Sequence, residues 1–284
     1  MRYLRRLVSG TRAQLADAAR SLAAGQFLPA ERNDDDLFIV EFPKSGVTWL
    51  TFLIANVNAQ LNGDPRAVTF FNINDFVPDV QSVRHVGPVR APLPGYRCFK
   101  SHAPYLAPYR KVVYLVRDPR DVMVSYWSFL QGLGWWRGTL DQLVVNRKYG
   151  IRAWVDHVGG WLRGIDAAAS FALLRYEDLT ADTAAELARL YALLGVPVTP
   201  GIIATAIERS SIDNMRQLER SFAAGHPALK GLEFVRRQPL GGARTPISNA
   251  VRELIEKEAA PVMKQLGYGP AGALEPTLWR QSVG

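Results

Sequence analysis

The sequence has a single cysteine, Cys98, in 284 residues. No internal disulfide can form, so nothing in the fold depends on an oxidising compartment, and a reducing cytoplasm is the expected location. Long apolar runs are also missing. The longest candidate, Trp49 to Val57, is interrupted by Thr51 and Asn56 and falls short of the roughly 20 residues that a bilayer span requires. An integral membrane protein is therefore not expected. There is no internal repeat and no low-complexity tract, which removes solenoids and arrays from consideration. Only four histidines occur, and no His/Cys/Asp/Glu cluster has ligand spacing, so no metal is expected.

What is present suits one large core. With 48% hydrophobic residues, the chain can bury most of its apolar surface as a single domain, 1–284. The formal charge is +8, and residues 1–20 hold half of it: Arg2, Arg5, Arg6, Arg12 and Arg20 against Asp17. We read residues 1–30 as a basic amphipathic helical extension. It suits a solvated surface helix, a weak peripheral membrane contact or an organellar leader; Arg12, Gln14 and Asp17 break up the apolar stretch of a secretory signal. The rest of the chain carries only +4 and no recognised motif, so nucleic acid is not an expected partner.

Strand and helix patterns alternate along the chain. Leu37-Phe38-Ile39-Val40-Glu41-Phe42 reads as a strand running into Pro43-Lys44-Ser45-Gly46. A helix follows, with Trp49, Leu50, Phe52, Leu53 and Val57 on its apolar face and Asn62-Gly63 at its end. Lys111 to Val116 is a short apolar run typical of a strand buried on both faces. Asp118 is a candidate N-cap and Pro119 the first helical residue. Phe171 to Tyr176 reads as a third strand, before a helix carrying Leu187, Leu190, Tyr191 and Leu194. Thr183 and Glu186 form a capping box for that helix, and Gly195 and Pro197 close it. Three such units predict an α/β fold, a central parallel sheet flanked by helices on both faces, with a C-terminal helix and tail over 246–284. Segments 62–95, 130–150 and 220–246 are long for plain connections and read as lids or substrate walls. Lys44, Arg117 and Tyr176 follow the carboxyl ends of strands, where open parallel sheets bind ligands.

Pro43 to Trp49 joins a strand to a helix N-terminus, so backbone N–H groups and the helix dipole face the loop's contents. The loop suits an anion, or else Lys44 is a solvated lysine and Trp49 a core residue. The pattern differs from Gly-x-x-x-x-Gly-Lys-Ser/Thr, because Lys44 precedes the only glycine. In the second constellation, Arg117 to Trp127, Ser125 shares a helical face with Val122, Tyr126 and Phe129. Its hydroxyl either bonds back to the Asp121 carbonyl or joins Arg117 on a phosphate. Trp135 and Trp136 are either core or the wall of an acceptor pocket. His85, His157 and His226 have no motif context and read as ordinary polar residues, and Cys98 as a small core residue.

Together these segments resemble the cytosolic-type sulfotransferase family, which has a P-loop-like architecture. In that family a Tyr-Pro-Lys-Ser-Gly-Thr-Thr-Trp loop holds the 5′-phosphosulfate, and an Arg with a Ser eight residues later holds the 3′-phosphate. The matches are Pro43-Lys44-Ser45-Gly46, Thr48-Trp49, Arg117 and Ser125. Phe99-Lys100-Ser101-His102 is similar to the family's Lys-Thr-His stretch, and Tyr176-Glu177-Asp178 to its Tyr-Glu-Asp. Arg209 to Met215, with Ser210, Ser211 and Ile212, resembles its Thr-Ser-Phe segment. Phe234-Val235-Arg236-Arg237 resembles its Phe-Met-Arg-Lys segment. The likeness runs from about 37 to 245. Val47 replaces a threonine but keeps its backbone N–H, Ile212 replaces an aromatic, and Gln238 to Arg244 lacks the family's Gly-x-x-Gly-Asp-Trp run.

The resemblance implies in-line sulfuryl transfer from 3′-phosphoadenosine-5′-phosphosulfate (PAPS) to a hydroxyl of a small-molecule or glycan acceptor. His102 is the implied base, with an ordinary imidazole pKa of about 6.5. Lys44 would neutralise the leaving oxygen and Lys100 the equatorial sulfuryl oxygens. Ser45, Gly46, Val47 and Thr48 would cradle the 5′-phosphate; Trp49 would stack on the adenine with Tyr176 near it, and Ile212, in place of an aromatic, leaves the stacking to one side. Arg117, Ser125, Arg236 and Arg237 would clamp the 3′-phosphate, and Ser210, Ser211 and Val235 are further implied nucleotide-binding residues. Rival readings are a nucleotide or small-molecule kinase, disfavoured by the placement of Lys44 and the lack of magnesium carboxylates, and an inactive nucleotide-binding relative.

Overall fold

The computed structural model describes residues 27–29, 31, 33–81, 93–94, 96–165, 168–225, 247–269 and the backbone of 279–280. In chain order the elements are β1 (Leu37–Glu41), α1 (Val47–Leu61), α2 (Ile73–Phe76), β2 (Cys98–Ser101), β3 (Lys111–Val116), α3 (Pro119–Gly132), α4 (Leu140–Val144) and α5 (Ile151–Arg163). They continue as β4 (Ser170–Arg175), α6 (Tyr176–Ala181), α7 (Thr183–Leu193), α8 (Pro200–Arg209), α9 (Ile212–Gly225), α10 (Asn249–Gln265) and β5 (Trp279–Arg280).

The sheet order is β2-β1-β3-β4-β5, with the first four strands parallel and β5 antiparallel to β4. Period-two alternation divides the core. Phe38, Val40, Val112, Tyr114 and Phe171 face one layer, completed by Trp154 and Trp161 of α5 and Ile255 of α10. Leu37, Ile39, Val113, Leu115 and Leu174 face the other, completed by Leu50 and Leu53 of α1, Leu187 of α7 and Ile203 of α8. Each such side chain contributes roughly 1.5–3 kcal/mol on burial. A one-residue slip would turn both sets inside out, so the register is strongly specified. Helices thus cover both faces, as the pattern predicts.

That register aligns the carboxyl ends of four strands along one edge: Val40 sits beside Ser101, Glu41 beside Leu115, and Val116 beside Arg175. From β1 the chain goes to β2 on one side and returns to β3 on the other. This reversal opens a crevice above the carboxyl ends of β1 and β3.

Local signals are met with one shift. Asp118 caps α3, accepting the Arg120 N–H at 2.8 Å, with Pro119 in the first turn. Gly63 and Gly195, at φ +62° and +67°, close α1 and α7. The cap of α7, however, is Asp182 and not Thr183: its carboxylate accepts the Ala185 N–H at 3.0 Å. Thr183 is already helical and its hydroxyl donates to the Leu179 carbonyl at 2.8 Å. The chain breaks between α6 and α7 at Asp182, which places the stronger capping group one residue earlier. Segment 130–150 is not a bare connection, since Thr139 and Gln142 form a capping box that starts α4. No described helix is long and apolar enough to cross a membrane. The basic helix expected at the start of the chain up to residue 26, His85, His226 and segment 226–246 lie outside the described residues.

Candidate functional site

The loop after β1 turns sharply because two residues take left-handed backbone conformations, Lys44 at φ +76° and Gly46 at φ +114°. A lysine in that region costs about 1–2 kcal/mol, and at Gly46 a side chain is excluded outright. A Cβ there would fall 2.5 Å from the Tyr176 ring. α1 then begins at the crevice without a side chain on its N-cap, Gly46, whose carbonyl takes the Trp49 and Leu50 N–H groups. Two groups of the loop are also turned to the protein. The Ser45 hydroxyl donates to the Phe42 carbonyl at 2.9 Å, and the Val47 N–H donates to Oε2 of Glu41 at 2.7 Å.

A cavity of about 460 Å³ occupies the crevice. Lys44, Gly46, Val47, Thr48 and Trp49 line it from the loop and α1; Lys100 and His102 from the end of β2; Arg117 and Ser125 from the end of β3 and from α3; Tyr176 from the start of α6; Ser210, Ser211 and Ile212 from the α8–α9 junction. Of the described residues that the sequence singles out for the site, Ser45 alone is not on the wall. Val235, Arg236 and Arg237 lie outside the described residues. Trp135 is 68% exposed, and the Trp136 indole donates to the Thr139 carbonyl at 3.3 Å. Neither is core, and neither lines this cavity.

Charges are held in fixed places. Lys44 Nζ lies 4.3 Å from the centre of the Phe129 ring, a cation–π distance. Lys100 Nζ pairs with Asp79 at 3.0 Å. Arg117 is buried, 3.4 Å from Asp121, with its guanidinium 4.5 Å from the centre of the Tyr176 ring. Trp49 stands edge-on to Tyr176, and its indole N–H donates to the Ser210 carbonyl at 3.1 Å. Both rings line the cavity.

His102 departs from the expected ordinary imidazole. Burial lowers its pKa to about 3, helped by the Lys100 ammonium and opposed by Asp79. The ring is therefore neutral, with a lone pair to offer, throughout the neutral range. Glu41, at the buried end of β1, moves the opposite way: burial raises it to about 7 against the pull of the Val47 N–H, Lys100 and Lys44. His102 Nδ1 is buried without a hydrogen-bond partner, and Glu41 Oε1 lies 3.7 Å from it.

His157 is also more than an ordinary polar residue. It is buried on α5, and its Nε2 lies 3.3 Å from the His102 carbonyl. A carbonyl only accepts, so Nε2 carries the hydrogen and Nδ1 accepts the Tyr114 hydroxyl at 2.9 Å. Burial lowers its pKa to about 4, so it too stays neutral. Glu41, Asp79 and His157 are the residues that sequence reasoning overlooks. A signal existed for two of them: Glu41 is an acid ending an apolar strand, and His157 sits between Trp154 and Trp161 on the buried face of a helix. Asp79 gives none, because only the β-bridge to Lys100 brings it to the site.

Comparison with known proteins places this geometry in context. Residues 34–267 match the family described as Sulfotransferase domain. Human Sulfotransferase 2B1 is 30% identical over 196 residues, covering 64% of this chain and 52% of that protein. The 3-beta-hydroxysteroid sulfotransferase of Cavia porcellus is 28% identical over 254 residues, 84% of this chain and 86% of that one. The chain thus spans about half the length of the human relative. Among solved structures, retinol dehydratase in a complex with retinol and PAP has a TM-score of 0.65 at 19% identity, over 82% of each chain. That likeness is one of fold.

Proposed function

The chain belongs to the sulfotransferase family, and from that premise we propose that it transfers a sulfuryl group from PAPS to a hydroxyl on a small-molecule acceptor. The observation that carries the reading is the single cavity shared by the Lys44 loop, Arg117 with Ser125, and Lys100 with His102. Two cationic ends on one cavity suit a nucleotide with phosphates at both ends. A PAP complex of a protein with this fold and a relative named for hydroxysteroids support the donor and the acceptor class.

In this reading the 5′-phosphate rests on the N–H groups of the loop and α1, with Thr48 beside it. The 3′-phosphate meets Arg117 and Ser125, joined by Arg236 and Arg237; Trp49, Tyr176 and Ile212 enclose the adenine. Catalysis is then positioning and charge stabilisation, as in phosphoryl transfer. The acceptor oxygen attacks sulfur in line while His102 takes its proton, Lys44 meets the charge on the leaving phosphate oxygen, and Lys100 holds the sulfuryl oxygens. Lys100 leaves Asp79 to do so. No metal is invoked. The buried free thiol of Cys98 suits a reducing cytoplasm.

The test is incubation with donor labelled in the sulfuryl group and a panel of steroid, phenol and carbohydrate alcohols. Label should appear on at least one hydroxyl with release of PAP. Phosphoryl transfer from ATP, with no label moved from PAPS, would instead establish the kinase reading.

A further inference from the structure

Glu41 joins the two halves of the reacting end. Its Oε2 takes the Val47 N–H at 2.7 Å, which anchors the carboxylate at the start of α1. Its Oε1 faces Nδ1 of His102 at 3.7 Å; that nitrogen is buried with no hydrogen bond of ordinary length, and the Glu41 backbone carbonyl also acts on the ring. The His102 side chain keeps 22% of its surface exposed, so the edge away from Nδ1, bearing Nε2, is the one left to the cavity. We propose that Glu41 is the positioning residue for His102: its carboxylate takes the Nδ1 hydrogen and so fixes the tautomer whose Nε2 lone pair faces the acceptor. The inference rests on the sulfotransferase reading. A separation beyond hydrogen-bond length in a ligand-free site tightens when the complex forms.

The step then balances. The acceptor O–H bond breaks as the O–S bond forms and the S–O bond to the 5′-phosphate breaks. The proton ends on Nε2, and the imidazolium is held against the Glu41 carboxylate. Glu41 faces Lys44 from the loop, Lys100 and His102 from the end of β2, and the Tyr114 hydroxyl from β3. His102 in turn faces Lys100, Asp79, His157 and the Glu41 backbone carbonyl. Since burial holds the carboxyl at about 7, the charged, orienting form accumulates as pH rises through that value. The acid limb of kcat therefore belongs to Glu41, because His102 alone would titrate far lower.

The alternative is a carboxylate that only staples the loop, and Glu41→Gln separates the two. Its single carbonyl must serve the Val47 N–H, leaving an NH₂ group toward Nδ1. Nδ1 then accepts, the hydrogen moves to Nε2, and the base is blocked. We expect kcat to fall about 100- to 1,000-fold, PAP affinity to hold within about 3-fold, and the acid limb near 7 to vanish. Imidazole ¹⁵N spectra should show His102 with its hydrogen on Nδ1 at pH 8 in the wild type and on Nε2 in the variant. Should the Gln variant not fold, Glu41→Asp keeps the charge on a shorter stem, and we expect about a tenfold loss with the limb retained. Loss of PAP affinity with an unmoved acid limb, or the same tautomer in both proteins, overturns the proposal while leaving the sulfotransferase reading intact. A wild type that transfers no label overturns both.

Discussion

At the β3 end of the cavity, Arg117 lies buried between Asp121 and the face of Tyr176, and it supplies a permanent charge. At the β1 end, Glu41 is as deeply buried and His102 keeps 22% of its side chain exposed, yet burial drives the carboxyl up to about 7 and the imidazole down to about 3. The sheet edge is the same and the depth similar, but the chemistry diverges. A guanidinium with a carboxylate beside it and an aromatic face beneath it tolerates low dielectric as an ion. A carboxyl beside an imidazole can answer the same pressure by keeping or shedding a proton. One end is thus built to hold charge constant and the other to let a proton move, which is the division that binding and reaction require of a two-ended donor.

The sharpest way to break that division is at His102. His102→Ala should lower kcat by about 1,000-fold or more while PAP affinity, measured by calorimetry, stays within about twofold. A comparable loss in both would mean that the β1 end binds and does not react. Next comes Arg117→Ala, which should weaken 3′,5′-bisphosphate binding by about 10- to 100-fold, the value of a charge-assisted hydrogen bond. Adenosine 5′-phosphate should lose far less, and equal losses would remove Arg117 from the 3′ side. The smallest effect concerns the support beneath His102. The pKa of His157 is depressed in the folded state, so the unfolded chain binds its proton more readily. Its contribution to stability is therefore complete above the ordinary value of about 6.5 and lost as pH falls toward about 4. Urea unfolding should show wild-type stability dropping by on the order of 2–3 kcal/mol across that window, and His157→Gln should flatten the slope. An unchanged slope would place the titration elsewhere.

The contrast also explains what could be read from the chain. β1, β3 and β4 announce themselves because central parallel strands are buried on both faces and read as apolar runs. Arg117 is legible because it directly follows a strand, and Lys44 because it sits in a strand-to-helix loop, whereas His102 is legible only through the family resemblance. β5 was not legible, since two residues carry no period and pair with β4 only in the folded chain. Glu41 was counted merely as part of a strand, and His157 was set aside, because their meaning depends on contacts across the sheet. His157 meets the carbonyl of a residue 55 positions earlier. The shift of His102 was equally hidden, as burial belongs to the fold and not to the residue type. The expected Thr183 cap gives way for a simpler reason: Asp182 stands next to it and is the better capping residue.

The close approach of Gly46 to Tyr176 bears on how this site can be re-engineered. The glycine and the tyrosine lie on different strand ends, yet any methyl group added at the first must displace the ring of the second. A library randomised at position 46 alone should return the parent residue. A smaller residue at 176 would make room but trade away ring contact with Arg117, and the backbone at φ +114° would still strain any side chain placed at 46.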